Sequence, residues 1–533
     1  MRTVRPTLLL LQGGALFLLL IGGVNLVNLL LIRASGRARE FAVRQALGAA
    51  RRDVVREVLV ETVLLGALGG TLGLCASAFG INLLSILGTE ELPLGAQVAF
   101  DGRVAAVAWL GSLLVGVALA VPIIWFNLHQ RLALALQTES RGGTVSHAAQ
   151  HLRQGFIVAQ IALAFMLLAG AGLLGVSLRR VLAVSPGFQP EHVLSGQLVL
   201  PVSRYRNNPS RLAFNERLLG ELRAQPGVTF AAISTSAPFT SRATIHQSVI
   251  TVEGVVAQPG ESFRVHTCSW IAGDYWPALG IPLRASRLLD ESDQYREQRV
   301  CVVDEAFAQR YWPKGDAIGH RLTEHSSFKE AEAFTIVGVV GDVKTNDLAE
   351  TSALGAVYFP YPYNVAHDSI DVFIRTRLAP AALASVLQKT VQQLDPELPV
   401  DDIRTMQARI DASLIQRRSP ALLAGIFASV ALLLTAVGTY GVVAHAVTQR
   451  SREIGVRMAL GALPQQVLAQ FLGIGAKLLL AGLALGALGA WAVGRVMENF
   501  LFGVGAIHAG VLATNLLYSI SYHIIGLFQT IFY

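Results

Sequence analysis

The chain is 533 residues long, 53% hydrophobic and only 15% charged, with a mean hydropathy of +0.50. A soluble domain carries about 25% charged residues, so this composition excludes a purely soluble protein, and intrinsic disorder with it. The net charge is +7, and Lys314, Lys329, Lys344, Lys389 and Lys477 are the only lysines among 43 basic residues. An arginine excess in so apolar a chain marks cytoplasmic loops, not nucleic-acid binding.

The first apolar run, residues 8–32, is too long for a signal-peptide core and long enough to cross a bilayer. A basic segment follows at 33–56, with Arg33, Arg37, Arg39, Arg44, Arg51, Arg52 and Arg56. Runs 60–87 and 103–127 are the next two spans. Gly66 and Gly70 form a GxxxG pair, which lets helices approach closely. Cys75 lies in the same run and reads as a small packing residue. Segment 128–154 carries Arg131, Arg141 and Arg153. His147 and His151 stand four apart there, but no third ligand is near, so they read as loop residues and not a metal site. The fourth span is 155–177. Its GAGLLG stretch, 170–175, satisfies GxGxxG, yet no strand precedes it, so it is no dinucleotide site.

Residues 178–419 are a polar block of mixed strand and helix signals. Strands are predicted at 193–201, 228–235, 299–307, 334–343 and 369–377. A helix opens at Asn208-Pro209, shows an apolar stripe of Phe214, Leu218 and Leu222, and stops at Gln225-Pro226-Gly227. A second, 380–394, presents Leu383, Leu387, Val391 and Leu394 and ends at Asp395-Pro396. The order suggests an α+β domain of two lobes. The acidic pair Asp401-Asp402 reads as surface. Cys268 and Cys301 leave two readings open: a disulfide in an oxidising periplasm, or two separately buried thiols.

Spans 420–447, 467–497 and 509–533 close the chain, with Gly482 and Gly486 as a second GxxxG pair. A basic loop at 448–466 holds Arg450, Arg452 and Arg457. Arginines near span ends set orientation, so 33–56, 128–154 and 448–466 are cytoplasmic, and 178–419 lies outside. The fold class is thus a polytopic α-helical membrane protein of about seven spans with an α+β ectodomain. Glu61, Lys477, Arg495 and Glu498 are among the few charges inside or bordering the spans, too few to line a polar channel.

An internal repeat carries the functional signal. Arg39-Glu40-Phe41-Ala42-Val43-Arg44-Gln45-Ala46-Leu47-Gly48-Ala49 recurs as Arg452-Glu453-Ile454-Gly455-Val456-Arg457-Met458-Ala459-Leu460-Gly461-Ala462, identical at eight of eleven positions with an offset of 413. Each copy follows one span and precedes another. The pattern describes a short amphipathic helix at the inner surface, ended by glycine. Arginine and glutamate in fixed order suit directional ion pairs with a cytosolic partner; anchoring to lipid headgroups needs only charge.

The pattern RE-[IF]-x-V-R-x-A-L-G-A after an apolar span resembles the cytoplasmic signature of FtsX-like permeases, the membrane subunits of MacB-type ABC systems. GDYWPALGIPL (273–283), VVDEAFAQRYWP (302–313), AIGHRL (317–322) and IVGVVGDV (336–343) are similar to the MacB-type periplasmic core. The resemblance covers most of residues 8–507 and implies a duplicated permease. Residues 1–150 would be the first half, 151–177 the leading helix of the second, 178–419 the periplasmic core and 420–533 the rest of the second half. The first half departs from the family pattern by lacking a leading helix and an ectodomain, so the intact gene is expected to encode more residues upstream. The terminal run 509–533 departs by carrying no Arg or Lys.

The resemblance implies a multi-pass protein of the bacterial inner membrane that binds no cofactor itself. No G-x-x-x-x-G-K-[ST] occurs, so ATP and Mg are expected on a separate ABC ATPase subunit. Arg39, Glu40, Arg44, Leu47 and Gly48, with Arg452, Glu453, Arg457, Leu460 and Gly461, are the implied contacts to it. A periplasmic adaptor or outer-membrane protein is a further implied partner. The alternative is a non-transporting regulator of the same fold, whose ectodomain activates a cell-wall hydrolase or senses a ligand.

Overall fold

The computed structural model describes residues 4–36, 51–86, 100–129, 147–240, 246–255, 265–294, 298–350, 355–363, 368–449, 455–456, 459–461, 463–498, 501–505, 510, 511, 513 and 516. They form two compact units, one of residues 1–180 and 417–533, the other of residues 181–416.

The membrane unit is helical. Helices α1 (Val4–Gly36), α2 (Arg51–Ile86), α3 (Gly102–His129), α4 (His147–Leu182), α9 (Met406–Gln449) and α10 (Pro464–Met497) each contain a stretch long and apolar enough to cross a bilayer. Those stretches run Leu11–Arg33, Val55–Ile81, Gly102–Trp125, Arg153–Leu182, Arg417–Val442 and Gly475–Met497. They coincide with six of the seven spans read from the sequence. The seventh, 509–533, lies almost wholly outside the described residues.

Both GxxxG pairs sit at close helix approaches. A Cβ on Gly66 would stand 2.7 Å from the Ser112 carbonyl oxygen, and one on Gly116 of α3 would stand 2.7 Å from that of Thr62. Gly482 and Gly486 of α10 face Ile161 and Phe165 of α4, with 2.7 and 2.9 Å to the nearest side-chain atom. Water cannot drive such contacts inside lipid; van der Waals contact between closely approaching backbones does.

The second unit is built on one mixed sheet. Its strands are β1 (Val193–Val199), β2 (Val228–Ser234), β3 (Gln247–Val249), β4 (Thr251–Val252), β5 (Val265–Gly273), β6 (Leu283–Ser286), β7 (Val300–Asp304), β8 (Arg321–Thr323), β9 (Phe334–Val340), β10 (Ala356–Pro360), β11 (Ser369–Thr376) and β12 (Val400–Thr405). Their order is β12-β1-β11-β2-β5-β10-β7-β9-β8-β4, with β3 beside β5 and β6 beside β9. Most neighbours are antiparallel; β10 with β5 and β7 with β9 are parallel. Helix α5 (Asn208–Arg223) sends Phe214, Leu218 and Leu222 into the core, and α8 (Ala384–Leu394) sends Leu387 and Val391. Short helices α6 (Tyr275–Leu279) and α7 (Glu305–Tyr311) complete it. One hydrophobic core, with members from Leu194 to Leu398, serves the sheet, where the sequence suggests two lobes.

Helix α5 opens at Asn208 as expected, and Asn207 caps it; its Oδ1 accepts from the Ser210 amide at 3.1 Å. One local expectation is corrected. The run 299–307 is not one strand. The Asp304 carboxylate accepts from the Phe307 amide at 2.8 Å and starts α7 there. Cys268 and Cys301 are free buried thiols. They lie on β5 and β7 with β10 between them. Strands two apart in a sheet are about 9.5 Å apart, beyond the ~7 Å limit for Cα atoms in a disulfide.

Candidate functional site: the cytoplasmic repeat and its supports

The first copy of the repeat, with Arg39, Glu40, Arg44, Leu47 and Gly48, lies outside the described residues, as do Arg452, Glu453 and Arg457 of the second. The described part of the second copy is a single helical turn. The Leu460 amide donates to the Val456 carbonyl at 3.0 Å, and Gly461 follows with φ +96°. A side chain strongly disfavours that backbone, so glycine is what ends the turn there. Two residues beyond Gly461, the Leu463 amide donates to Gln466 Oε1 at 3.3 Å, and Pro464 opens α10.

This turn presents apolar side chains outward. Leu460 is 83% exposed, Leu463 59% and Val456 55%. Leu460 and Val456 belong to the repeated sequence, where Leu47 and Val43 are their equivalents. Such side chains at the end of a span meet water or lipid headgroups unless a protein covers them.

The helices flanking the first copy are tied together. Arg33, three residues before the end of α1, pairs with Glu61 of α2 at 2.6 Å. Buried Arg153 of α4 reaches the Leu31 carbonyl of α1 at 3.4 Å. Sequence reading placed these arginines as orientation markers; their second role, joining α1 to α2 and α4, depends on contacts across more than twenty residues.

Within the ectodomain, the start of α9 is held by a residue the sequence reading missed. Arg409 is 2% exposed. Its Nε donates to Ser195 Oγ at 2.6 Å, Nη1 to Thr240 Oγ1 at 2.7 Å and to Asp402 Oδ2 at 2.8 Å, and Nη2 to the Asp402 carbonyl at 2.9 Å. The signal was available: Arg409 adjoins the apolar stripe Met406, Ile410 and Leu414, all of which are buried. A charge beside a buried stripe requires partners. Asp402 is correspondingly not the plain surface acid expected; it also pairs with Arg404 at 2.8 Å.

The family-like motifs of the ectodomain prove to be structural. In GDYWPALGIPL, Gly273 has φ +73°, and a Cβ there would stand 2.7 Å from the Ala231 carbonyl oxygen. Asp274 binds Arg223 through both oxygens at 2.9 Å. Tyr275 and Trp276 are buried against Tyr358, with the Trp276 and Tyr358 rings 5.0 Å apart. Asp342 of IVGVVGDV accepts from the Ala306 amide at 2.7 Å, beside the Asp304 cap. Burial pushes the Asp304 carboxyl up to about 7, and nearby Asp342 adds to the effect. Burial likewise raises Asp371 to about 7, with Arg409 opposing. These groups pack and cap.

Comparison with known proteins matches two families. The FtsX-like permease C-terminal family matches residues 13–133 and again 425–532, and the MacB-like periplasmic core domain matches residues 157–394. The macrolide export ATP-binding/permease protein MacB of Nitrobacter winogradskyi is 35% identical over 113 residues, 21% of this chain and 16% of that protein. That of Burkholderia lata is 33% identical over 116 residues, 22% of this chain and 16% of that protein. The Campylobacter jejuni protein is 35% identical over 86 residues, 16% of this chain and 13% of that one. The chain therefore matches less than a fifth of the length of these relatives. Among solved structures, the periplasmic region of MacB from Actinobacillus actinomycetemcomitans aligns at 17% identity, over 43% of this chain and 95% of that one, with a TM-score of 0.29. The extracellular domain of the ABC-type transporter YknZ from Gram-positive bacteria aligns at 13% identity, over 39% of this chain and 100% of that one, with a TM-score of 0.26.

Proposed function

Because the chain belongs to the FtsX-like, MacB-type permeases, we propose that it is the membrane permease subunit of an ABC transporter, coupling ATP hydrolysis on a separate ATPase to movement of its periplasmic domain. It is a multi-pass protein of the inner membrane with a periplasmic segment. ATP and Mg are held by the partner. The observation that carries the reading is the duplicated cytoplasmic element, whose described part ends in outward-facing Val456, Leu460 and Leu463.

The coupling runs as follows. Closure of the ATPase presses on the two repeats. Arg452, Glu453 and Arg457, with Arg39, Glu40 and Arg44, supply charge-assisted contacts of fixed direction. Leu460 and Leu47 supply apolar area that the ATPase covers, worth about 1.5–3 kcal/mol for each leucine fully buried. Gly461 allows the chain to turn back into a span. The Arg33–Glu61 pair carries a push on the first repeat into α1 and α2 together. Helix α9 runs from Met406 to Gln449 with Pro420 inside it, and Arg409 anchors its first turn. Movement of the ectodomain then acts on the exported substrate, directly or through a periplasmic adaptor.

Co-purification tests this. The ATPase encoded with the permease is tagged and used to recover wild type, Glu453→Lys and Leu460→Asp chains from membranes. Glu453→Lys places like charge four residues from Arg457, and Leu460→Asp abolishes the apolar contact. Recovery should fall sharply for both. Recovery equal to wild type for both variants would remove the coupling role.

A further inference from the structure

The 413-residue offset of the repeat continues upstream into the membrane. It pairs Gly14 with Phe427, Leu18 with Ala431, Ile21 with Leu434, Asn25 with Gly438 and Asn28 with Gly441. These positions recur at intervals of four and three along each helix, the spacing of a coiled-coil seam.

The structure brings the paired positions face to face. A Cβ on Gly14 would stand 3.0 Å from the Phe427 ring. Leu18, Ile21, Ala431 and Leu434 share one cluster, in which Ile21 and Ala431 are fully buried. A Cβ on Gly438 would stand 2.5 Å from Asn25 Oδ1. Gly441 lies against Leu29, beside its repeat mate Asn28. The contacts keep one offset from Gly14 to Asn25, so α1 and α9 run parallel and in register. Equivalent residues meeting across a parallel pair is the signature of a local two-fold axis.

The seam is symmetric in position and asymmetric in size. Gly14 opposes phenylalanine, Leu18 opposes alanine, and Asn25 opposes glycine. A polar node then marks the register. Asn25 Nδ2 and Gln160 Nε2 of α4 both reach the Leu434 carbonyl, at 3.3 and 3.1 Å. Both side chains occupy the space that the missing Cβ of Gly438 leaves open. Asn28, 1% exposed, lies one turn further on. Polar side chains inside a membrane bundle specify which helices meet, and where along their length.

We propose that this is a keyed surface. Its complementary sizes make α1 and α9 of one chain partners for each other and not for their counterparts in a second copy. Pairing α9 with another α9 would stack Phe427 on Phe427 and leave Gly438 facing Gly438. Pairing α1 with another α1 would set Asn25 against Asn25, with no glycine cleft to receive it, and Gly14 against Gly14. Each wrong pairing combines an overfilled layer with an underfilled one, the two ways in which packing is lost. One chain thus closes the interface that an unduplicated subunit would form with a second copy.

The test uses the full chain. Leu18→Cys and Ala431→Cys are introduced together in a Cys75→Ala background, and two differently tagged copies are co-expressed. A short thiol cross-linker is then applied to membranes. The expected product is a cross-link within one chain; a cross-linked dimer carrying both tags overturns the proposal. Adding Gly438→Asn should abolish most of the internal cross-link, and adding Asn25→Gly to that variant should restore it. The independent exchange of Gly14→Phe with Phe427→Gly guards against one variant failing to fold: Gly14→Phe alone should lose the cross-link and the exchange regain it. A wild-type yield for both single variants, or restoration by neither exchange, overturns the keyed pairing.

Discussion

Buried Arg409 and half-buried Asp402 form an ion pair at 2.8 Å, and Asp402 sits at φ +50°, a backbone conformation that residues other than glycine seldom adopt. The guanidinium also takes the Asp402 carbonyl at 2.9 Å, so it holds both the side chain and the backbone of the turn-like residue in β12. The strand leading into α9 is therefore locked to the first residues of that helix.

Arg409→Ala removes one donor from the half-buried Asp402 carboxylate, which keeps Arg404, and the donors of two hydroxyls and a carbonyl. Leaving such groups unsatisfied costs about 1–3 kcal/mol. The melting temperature of the ectodomain should fall accordingly in a thermal scan, and Arg409→Lys should recover only part, because one ammonium cannot reproduce the forked geometry. A melt indistinguishable from wild type would show that the anchorage adds nothing.

The two buried acids set a pH dependence. Burial raises the Asp304 carboxyl above the ordinary carboxylate range, to about 7. A raised carboxylate means the folded state holds a proton that the unfolded state has released. Stability from this group is thus highest at low pH, falls as pH rises through the window from about 4 to 7, and is constant above it. Asp304→Asn keeps an oxygen to cap the Phe307 amide and cannot ionise. It should raise the melting temperature at pH 8, and change it little at pH 4. A larger gain at pH 4 than at pH 8 would contradict the assignment.

Glycines on the paired helices α2 and α3 should differ in tolerance. Gly116→Val drives a side chain into the Thr62 carbonyl oxygen, which a Cβ would already approach to 2.7 Å. Gly69→Leu enters open space on α2. The first should lower the detergent melting temperature, with an overpacking cost of about 1–3 kcal/mol; the second should leave it near wild type. Equal effects would mean that the α2–α3 contact does not depend on close approach.

Reversing charge and removing apolar area in the repeat should separate by salt. Glu453→Lys should weaken ATPase recovery most at low ionic strength, where exposed charges are least screened. Leu460→Asp should weaken it at every ionic strength. Co-purification across a salt series checks both, and an identical salt profile for the two variants would rule out the division of labour between charge and apolar contact.

Much was legible in the sequence because it depends on residues close together in the chain. Span length, arginine placement, the GxxxG pairs and the amphipathic stripes of α5 and α8 follow from local hydropathy and helical period, and six spans stand where the hydropathy puts them. The repeat and the two family-like regions needed only the order of residues. Other features required the tertiary structure. Asp304 ends a strand and begins a helix because its carboxylate finds the Phe307 amide, a competition that the apolar run 299–307 does not announce. Cys268 and Cys301 cannot pair because β10 comes between them, and strand order is not written in strand sequence. Asp402 reads as surface until Arg409 folds back over seven residues to meet it. The seam of Gly14, Asn25, Phe427 and Gly438 joins residues some 400 apart; composition supplies an apolar helix on either side, and only packing decides which small residue receives which large one.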